Sequence, residues 1–142
     1  MGGLMKKLSL YIIIFCILTG IPLLLPAETC AQESNSIVVE EANICRGVIN
    51  RKPLGIGDTF AASVGKLYCF TKVITGKNHT EISYIWYFGD LKRAEIKLPV
   101  KSSKWRTYSS KKIQIHETGD WHVDVVGPLG KVLKTLRFKI IP

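Results

Sequence analysis

The sequence predicts an all-β domain, a single antiparallel β-sandwich of about seven strands with immunoglobulin-like architecture. Period-2 alternation of apolar and polar residues recurs along the chain, and no helix-period run lasts longer than a turn or two. Turn signals fall every 8 to 14 residues, the spacing of a sandwich rather than of an α/β fold. Three short runs are each built around a tryptophan: Tyr84 to Asp90 with Trp86, Trp105 to Lys111, and Gly119 to Val126 with Trp121. Each reads as a half-buried strand, and the three tryptophans read as core anchors.

The elements follow in order. Ile37 to Val48 is a first strand, best defined from Ala42 onward. Asn50-Arg51-Lys52-Pro53 and Gly55-Ile56-Gly57-Asp58 punctuate it as loop. Thr59 to Ser63 is a short extended piece, and Leu67 to Ile74 a clear strand. Gly76-Lys77-Asn78 turns the chain into Thr80 to Phe88, where Ile82, Tyr84, Trp86 and Phe88 share a face. Gly89-Asp90 is a hairpin signal. In Lys92 to Val100, Ala94, Ile96, Leu98 and Val100 alternate with Arg93, Glu95 and Lys97, a strand with one wet face. Trp105 to Ser109 is the next strand, with Lys112 to His116 extending it past a bend. Trp121, Val123 and Val125 share one face of Trp121 to Val126, and Gly127-Pro128-Leu129-Gly130 turns again. Leu136, Phe138 and Ile140 alternate along the last strand. The Cys…Trp…Cys spacing of a true antibody domain is missing, so the likeness concerns architecture only.

The N-terminus stands apart from this pattern. Lys6 and Lys7 precede an uncharged apolar stretch from Leu8 to Leu25, and Thr29-Cys30-Ala31 then resembles a cleavage site before Gln32. This is the anatomy of a secretory signal peptide over residues 1–31, followed by a leader over 32–41 and a domain over 42–142. The competing reading keeps residues 8–25 as an uncleaved anchor in the inner membrane, since 18 apolar residues can just span a bilayer. Gly20 and Pro22 interrupt the stretch and favour cleavage. Glu28 and Thr29 before Cys30 fit a lipoprotein signal poorly. Either way the domain is expected outside the cytoplasm, in the periplasm or cell envelope.

Gln32 to Pro142 carries 18 Lys/Arg against 10 Asp/Glu, a formal charge of +8. Export argues against nucleic acid as its partner. Membrane contact is expected only through an uncleaved N-terminal segment. A basic exported surface attracts anionic glycans or lipid head groups, unless it is simply a solvated face. Cys16 and Cys30 leave with a cleaved signal. Cys45 and Cys69 are then the number needed for one disulfide, or else two buried thiols.

A set of motifs occurs in order along Ala42 to Pro142: Ile44-Cys45-Arg46-Gly47-Val48, Asn50-Arg51-Lys52-Pro53, Leu67-Tyr68-Cys69-Phe70-Thr71, Trp86-Tyr87-Phe88-Gly89, Trp105 to Lys111, Gly119 to Val123, and Gly130-Lys131-Val132-Leu133. As a set this resembles DUF2914, a bacterial domain of unknown function. Tyr108 before Ser109, and His122 where an Arg is common, are the departures. The resemblance implies a small extracytoplasmic domain, found alone or attached to other modules, and carries over no catalytic residue.

No activated nucleophile emerges from the residues, and Ser109-Ser110 has no G-x-S-x-G elbow. His122 and Asp124 share a strand face by alternation, and His116 or Glu117 would complete a metal-assisted hydrolase. That spacing matches no metal motif, so neither a catalytic residue, a metal nor a cofactor is expected. The candidate binding residues are Arg106, Tyr108, Lys111, Lys112 and Tyr87. Trp105 turns inward, which leaves Arg106 and Tyr108 outside with lysines in the flanking turns. Flat rings beside cationic donors can stack on a sugar or hold an anion. The alternative is that Arg106 only lids an aromatic ring and pairs across the sheet. The expected function is a non-catalytic module engaging an envelope protein, with anionic glycan or lipid as the second partner class.

Overall fold

The strands pair into two facing layers and one small flap. The computed structural model describes residues 37–76 and 79–142. The expected signal peptide or anchor, with most of the leader, lies outside these residues. Among the described residues no helix is long and apolar enough to cross a membrane. Ten strands run in order: β1 (Val38–Cys45), β2 (Gly47–Ile49), β3 (Lys52–Leu54), β4 (Thr59–Ala61), β5 (Lys66–Ile74), β6 (Thr80–Phe88), β7 (Leu91–Val100), β8 (Lys104–Lys112), β9 (Gly119–Val126) and β10 (Val132–Ile141). One layer has the order β1-β5-β8, the other β4-β10-β9-β6-β7, and β2-β3 forms a separate hairpin.

Pleating decides what each strand contributes to the core. From β5, Leu67, Cys69, Thr71 and Val73 point inward and are all at most 0% exposed. From the larger sheet come Ile82, Tyr84, Trp86, Trp121, Val123, Val125, Phe138 and Ile140. Trp86 and Trp121 are fully buried, each within ring contact of Phe138. Trp105 is half-buried and packs against the rim of the same core. Gly89, at φ 56°, supplies the left-handed backbone of the β6–β7 turn.

Three aromatic polar groups enter this core, and each finds a partner. The Trp86 indole donates to Ser109 Oγ at 2.7 Å, joining β6 to β8 across the sandwich. Tyr84 Oη lies 2.5 Å from Thr71 Oγ1 and also donates to the Thr107 carbonyl at 3.5 Å. Trp121 Nε1 donates to the Glu117 carbonyl at 3.1 Å. Burial pushes the Tyr84 hydroxyl and the Cys69 thiol well above their ordinary ranges, so both stay neutral.

The structure changes four expectations. The first strand begins at Val38, inside the expected leader, and breaks at a bend on Arg46 rather than running to Val48. Residues 50–53, expected as loop, form the tip and return strand of the β2–β3 hairpin. β8 already includes Lys112 but goes no further, and the chain turns through buried Ile113 instead of extending to His116. One pairing is parallel, β4 with the end of β10, so the sandwich is antiparallel except at that edge.

The disulfide is a fifth correction. β1 and β5 are neighbours, the arrangement a bridge would need, yet both cysteines are free. Ile44 lies opposite Cys69 and Cys45 opposite Tyr68, so the two thiols are one register step apart and leave on opposite faces of the sheet. Cys69 enters the main core, whereas Cys45 is buried on the outer side with Phe70. The β2–β3 hairpin touches both β1 and β5 on that side, covering what would otherwise be an exposed apolar face.

Two predictions follow from the buried polar links. Ser109→Ala leaves the Trp86 N–H without a partner and is expected to cost about 1–3 kcal/mol in urea unfolding. The neighbouring Ser110→Ala, on the outer face, is expected to stay within about 0.5 kcal/mol. Stability should also fall in alkali. Cys69 and Tyr84 have raised folded pKa values, so the stability they support is complete below their unfolded values near 9 and 10. It is lost as pH rises past them, because only the unfolded chain releases those protons. Chemical denaturation at pH 8 and pH 10.5 measures the difference.

Candidate functional site

The inward set Trp105, Thr107 and Ser109 forces Lys104, Arg106, Tyr108, Ser110 and Lys112 onto the outer face of β8. On that face Arg106 lies opposite Lys72 and Tyr108 opposite Phe70. The expectation for Arg106 and Tyr108 therefore holds in its geometry.

Arg106 helps to line a cleft of about 380 Å³ with Arg51, Lys72, Ser102, Lys104 and Trp105. Four cations from three elements converge there. Lys72 comes from β5, Lys104 and Arg106 from β8, and Arg51 from the tip of the β2–β3 hairpin. The hairpin's two-residue turn places Asn50 at φ 50° and Arg51 at φ 57°. This is the backbone of a type I′ turn, in which glycine is favoured at the second position. An arginine in that region costs about 1–2 kcal/mol.

One acid partly offsets the charge. Glu40 Oε2 lies 2.8 Å from Lys72 Nζ, and the Lys72 ammonium, with Lys104 and Arg106 nearby, holds its carboxyl below the usual range. Glu40 is the residue bulged out of the β1–β5 pairing, which brings its side chain to this corner. A carboxylate is thus already accommodated beside three of the four cations.

The other candidates are dispersed. Lys112 lies on the same outer face at the far end of β8, opposite Lys66. Lys111 alternates to the other side, and its ammonium donates to the Lys112 carbonyl at 3.0 Å. It does not join Arg106. Tyr87 is on the other sheet, half-buried and stacked on His122 with ring centroids 4.5 Å apart. Among the described residues the exposed Phe, Tyr or Trp is Tyr108, 48% exposed, in edge contact with Tyr68. Arg51 and Lys72 were not singled out by sequence. Asn50 between two short β-prone runs was the available signal for the hairpin that delivers Arg51.

The conceivable metal set does not assemble. His122 and Asp124 share a face as alternation requires, but His122 stacks on Tyr87 and Asp124 accepts from Thr135 Oγ1 at 2.7 Å. His116 is exposed, while Glu117 is buried at 1% exposure. Glu117 pairs through Oε1 with Arg93 Nη2 and accepts the Gln114 N–H at Oε2, 2.9 Å away. Oε1 is held by charge without a well-aligned hydrogen bond. Among the described residues no group of three His, Cys, Asp or Glu is placed to hold a metal. A larger cleft of about 670 Å³ at the β6–β7 turn mixes Asp58, Asp90 and Asp120 with Arg137 and Lys139, so it presents no single sign of charge.

Residues 79–140 match the family model of DUF2914, described as a protein of unknown function. That match supports the family resemblance. It spans β6 to β10, so the motifs in β1, β2, β3 and β5 lie outside it. No curated protein matches the chain. Among solved structures the chain is similar to a GH3 beta-glucosidase of Bifidobacterium adolescentis, with a TM-score of 0.43 and 7% identity. The similarity covers 74% of this chain and 17% of that enzyme, so the chain spans a small part of its length.

Glu117→Ala separates a structural role from a ligand role. Removing the carboxylate frees the Gln114 N–H and unpairs Arg93, and is expected to cost about 2–3 kcal/mol in denaturant unfolding. His116→Ala, at an exposed position of the same turn, is expected to cost less than about 0.5 kcal/mol.

Proposed function

We propose that the domain is a non-catalytic binding module of the bacterial cell envelope, and that its cleft takes an anionic group. The chemistry is that of a carboxylate, sulfate or phosphate, carried by a glycan or a lipid head group. One observation carries this reading. Arg51, Lys72, Lys104 and Arg106 line one cleft together with Trp105, and Arg51 does so from a strained backbone. Strain that brings a cation to a cleft is expected where function outweighs stability. Residence in the envelope rests on the N-terminal segment of the sequence.

Recruitment of an envelope protein by strand addition has less support. β7 ends the larger sheet, and Lys92, Arg93, Lys97 and Pro99 lie along it. Lysines and proline on an edge strand are the usual obstacles to pairing with another chain.

The cleft is tested by titration calorimetry with a heparin disaccharide and with phosphatidylglycerol vesicles, which separates glycan from lipid as the carrier. Binding is expected to weaken as salt rises, since it depends on screened charge. Lys104→Ala with Arg106→Ala should lower affinity at least tenfold without lowering Tm. Arg51→Gly should weaken binding while Tm holds or rises, because glycine relieves the left-handed backbone. Unchanged affinity in both variants would refute the cleft.

A further inference from the structure

The cationic surface does not stop at the cleft. We infer that the outer face of β8 continues it as a track for a linear acidic glycan, with cations at both ends and a tyrosine pair between them. This inference rests on the cleft being an anion site. Lys104, Arg106, Tyr108, Ser110 and Lys112 follow one another at every second position on the outer face. The eight residue steps from Lys104 to Lys112 span about 27 Å at the rise of a strand.

The register sharpens the pattern. Lys72 lies opposite Arg106 near one end, and Lys66 opposite Lys112 at the other. Like charges placed directly across a pair of strands are destabilising. Glu40 relieves the first pair through Lys72. Among the described residues neither Lys66 nor Lys112 forms an ion pair, and the Lys66 ammonium instead sits 5.9 Å from the Tyr68 ring centroid. A surface serving only solubility has no need to align its cations face to face.

Between the two pairs stand Tyr68 and Tyr108, with ring centroids 5.8 Å apart in an edge-on arrangement. The β2–β3 hairpin covers the β1 and β5 side of this face, over Cys45 and Phe70, and leaves Tyr108 48% exposed. A ligand that alternates anionic groups with flat, C–H-rich ring faces complements this order of cation, ring and cation. An acidic polysaccharide has that repeat, whereas a single head group reaches only one end.

A length series tests the track. Heparin oligosaccharides from disaccharide to dodecasaccharide are titrated against the native protein and against Lys66→Ala with Lys112→Ala. Affinity is expected to rise with length until the face is filled. The double variant should lose about tenfold for the longest chain, leave the disaccharide unchanged, and keep or raise Tm as the like-charge pair disappears. Tyr108→Ala should likewise weaken only the longer chains. Disaccharide binding with no dependence on Lys66 and Lys112 at any length would overturn the track and leave the cleft standing. A response to phosphatidylglycerol vesicles stronger than to the longest chain would overturn it in favour of a membrane surface. Binding of neither chain nor vesicle would sink cleft and track together.

Discussion

The hydrogen bond from the Trp86 indole to Ser109 Oγ sets most of what is outside by fixing what is inside. It crosses the sandwich at 2.7 Å between two buried side chains, where an unpaired N–H would be costly. With Ser109 turned inward, Thr107 and Trp105 must follow, and Tyr84 meets the Thr107 carbonyl and Thr71 beside it. A slip of one residue in β8 would bury Tyr108 and Arg106 and expose Trp105. The outward row of Lys104, Arg106, Tyr108 and Lys112 is therefore a consequence of polar satisfaction in the core. Apolar packing alone would tolerate more sliding than two directional bonds at different heights along the same strand.

The β2–β3 hairpin adds a second constraint, on the outer face of the smaller sheet. Phe70 and Cys45 are buried there without belonging to the main core, which is possible only because a flap covers them. The Arg46 N–H donates to the Leu54 and Gly55 carbonyls, and Gly57 donates to the Ile44 carbonyl, so the base of the flap is tied to the end of β1. The guanidinium of Arg46 lies 5.7 Å from the Phe60 ring, tying the same base towards β4. A flap anchored at its base and closed by a tight turn has a defined tip. That is how Arg51, distant in sequence from β5 and β8, comes to share a cleft with Lys72 and Arg106.

Much of this was legible in the sequence. Alternation identified β5, β6, β7, β9 and β10 and the buried roles of Trp86 and Trp121, because each strand turns one face to the core. It also placed Arg106 and Tyr108 outside. What escaped were features that depend on partners distant in sequence. The β2–β3 hairpin has only three residues in each strand, too few to establish a period, and its Pro53 reads as a breaker. The separation of Cys45 from Cys69 depends on a register offset of one residue, which neither cysteine's neighbours reveal. Lys111 and Arg106 differ by five positions, an odd number, so strict alternation already divides them. Reading Lys111 as a turn residue obscured that parity, since β8 continues regularly through Lys112. Tyr87 illustrates the same limit: its neighbour His122 is a cross-strand partner in β9.

The charge on this face is arranged against the stability of the sheet. Lys72 and Arg106 lie in register, as do Lys66 and Lys112, and like charges directly opposite across two strands are destabilising. A strained Arg51 adds a third cation beside the first pair. Glu40 shows how the fold lives with this. Its carboxylate sits where an external anion would be welcome, and the surrounding cations keep it ionised at pH values below those of an ordinary glutamate. Because the Glu40 side chain is 45% exposed and Lys72 27%, the contact is partly screened by solvent and contributes little stability. An incoming carboxylate or sulfate would therefore compete with a half-exposed acid rather than with a buried one such as Glu117. The two acids differ in kind: Glu117 is buried and holds a turn in place, whereas Glu40 is half-exposed and can give up Lys72. A protein needing only a soluble surface would be more stable with acids interspersed among these lysines. Their alignment on the outer face of the smaller sheet, beside the hairpin, is the physical reason for proposing that face as a binding surface.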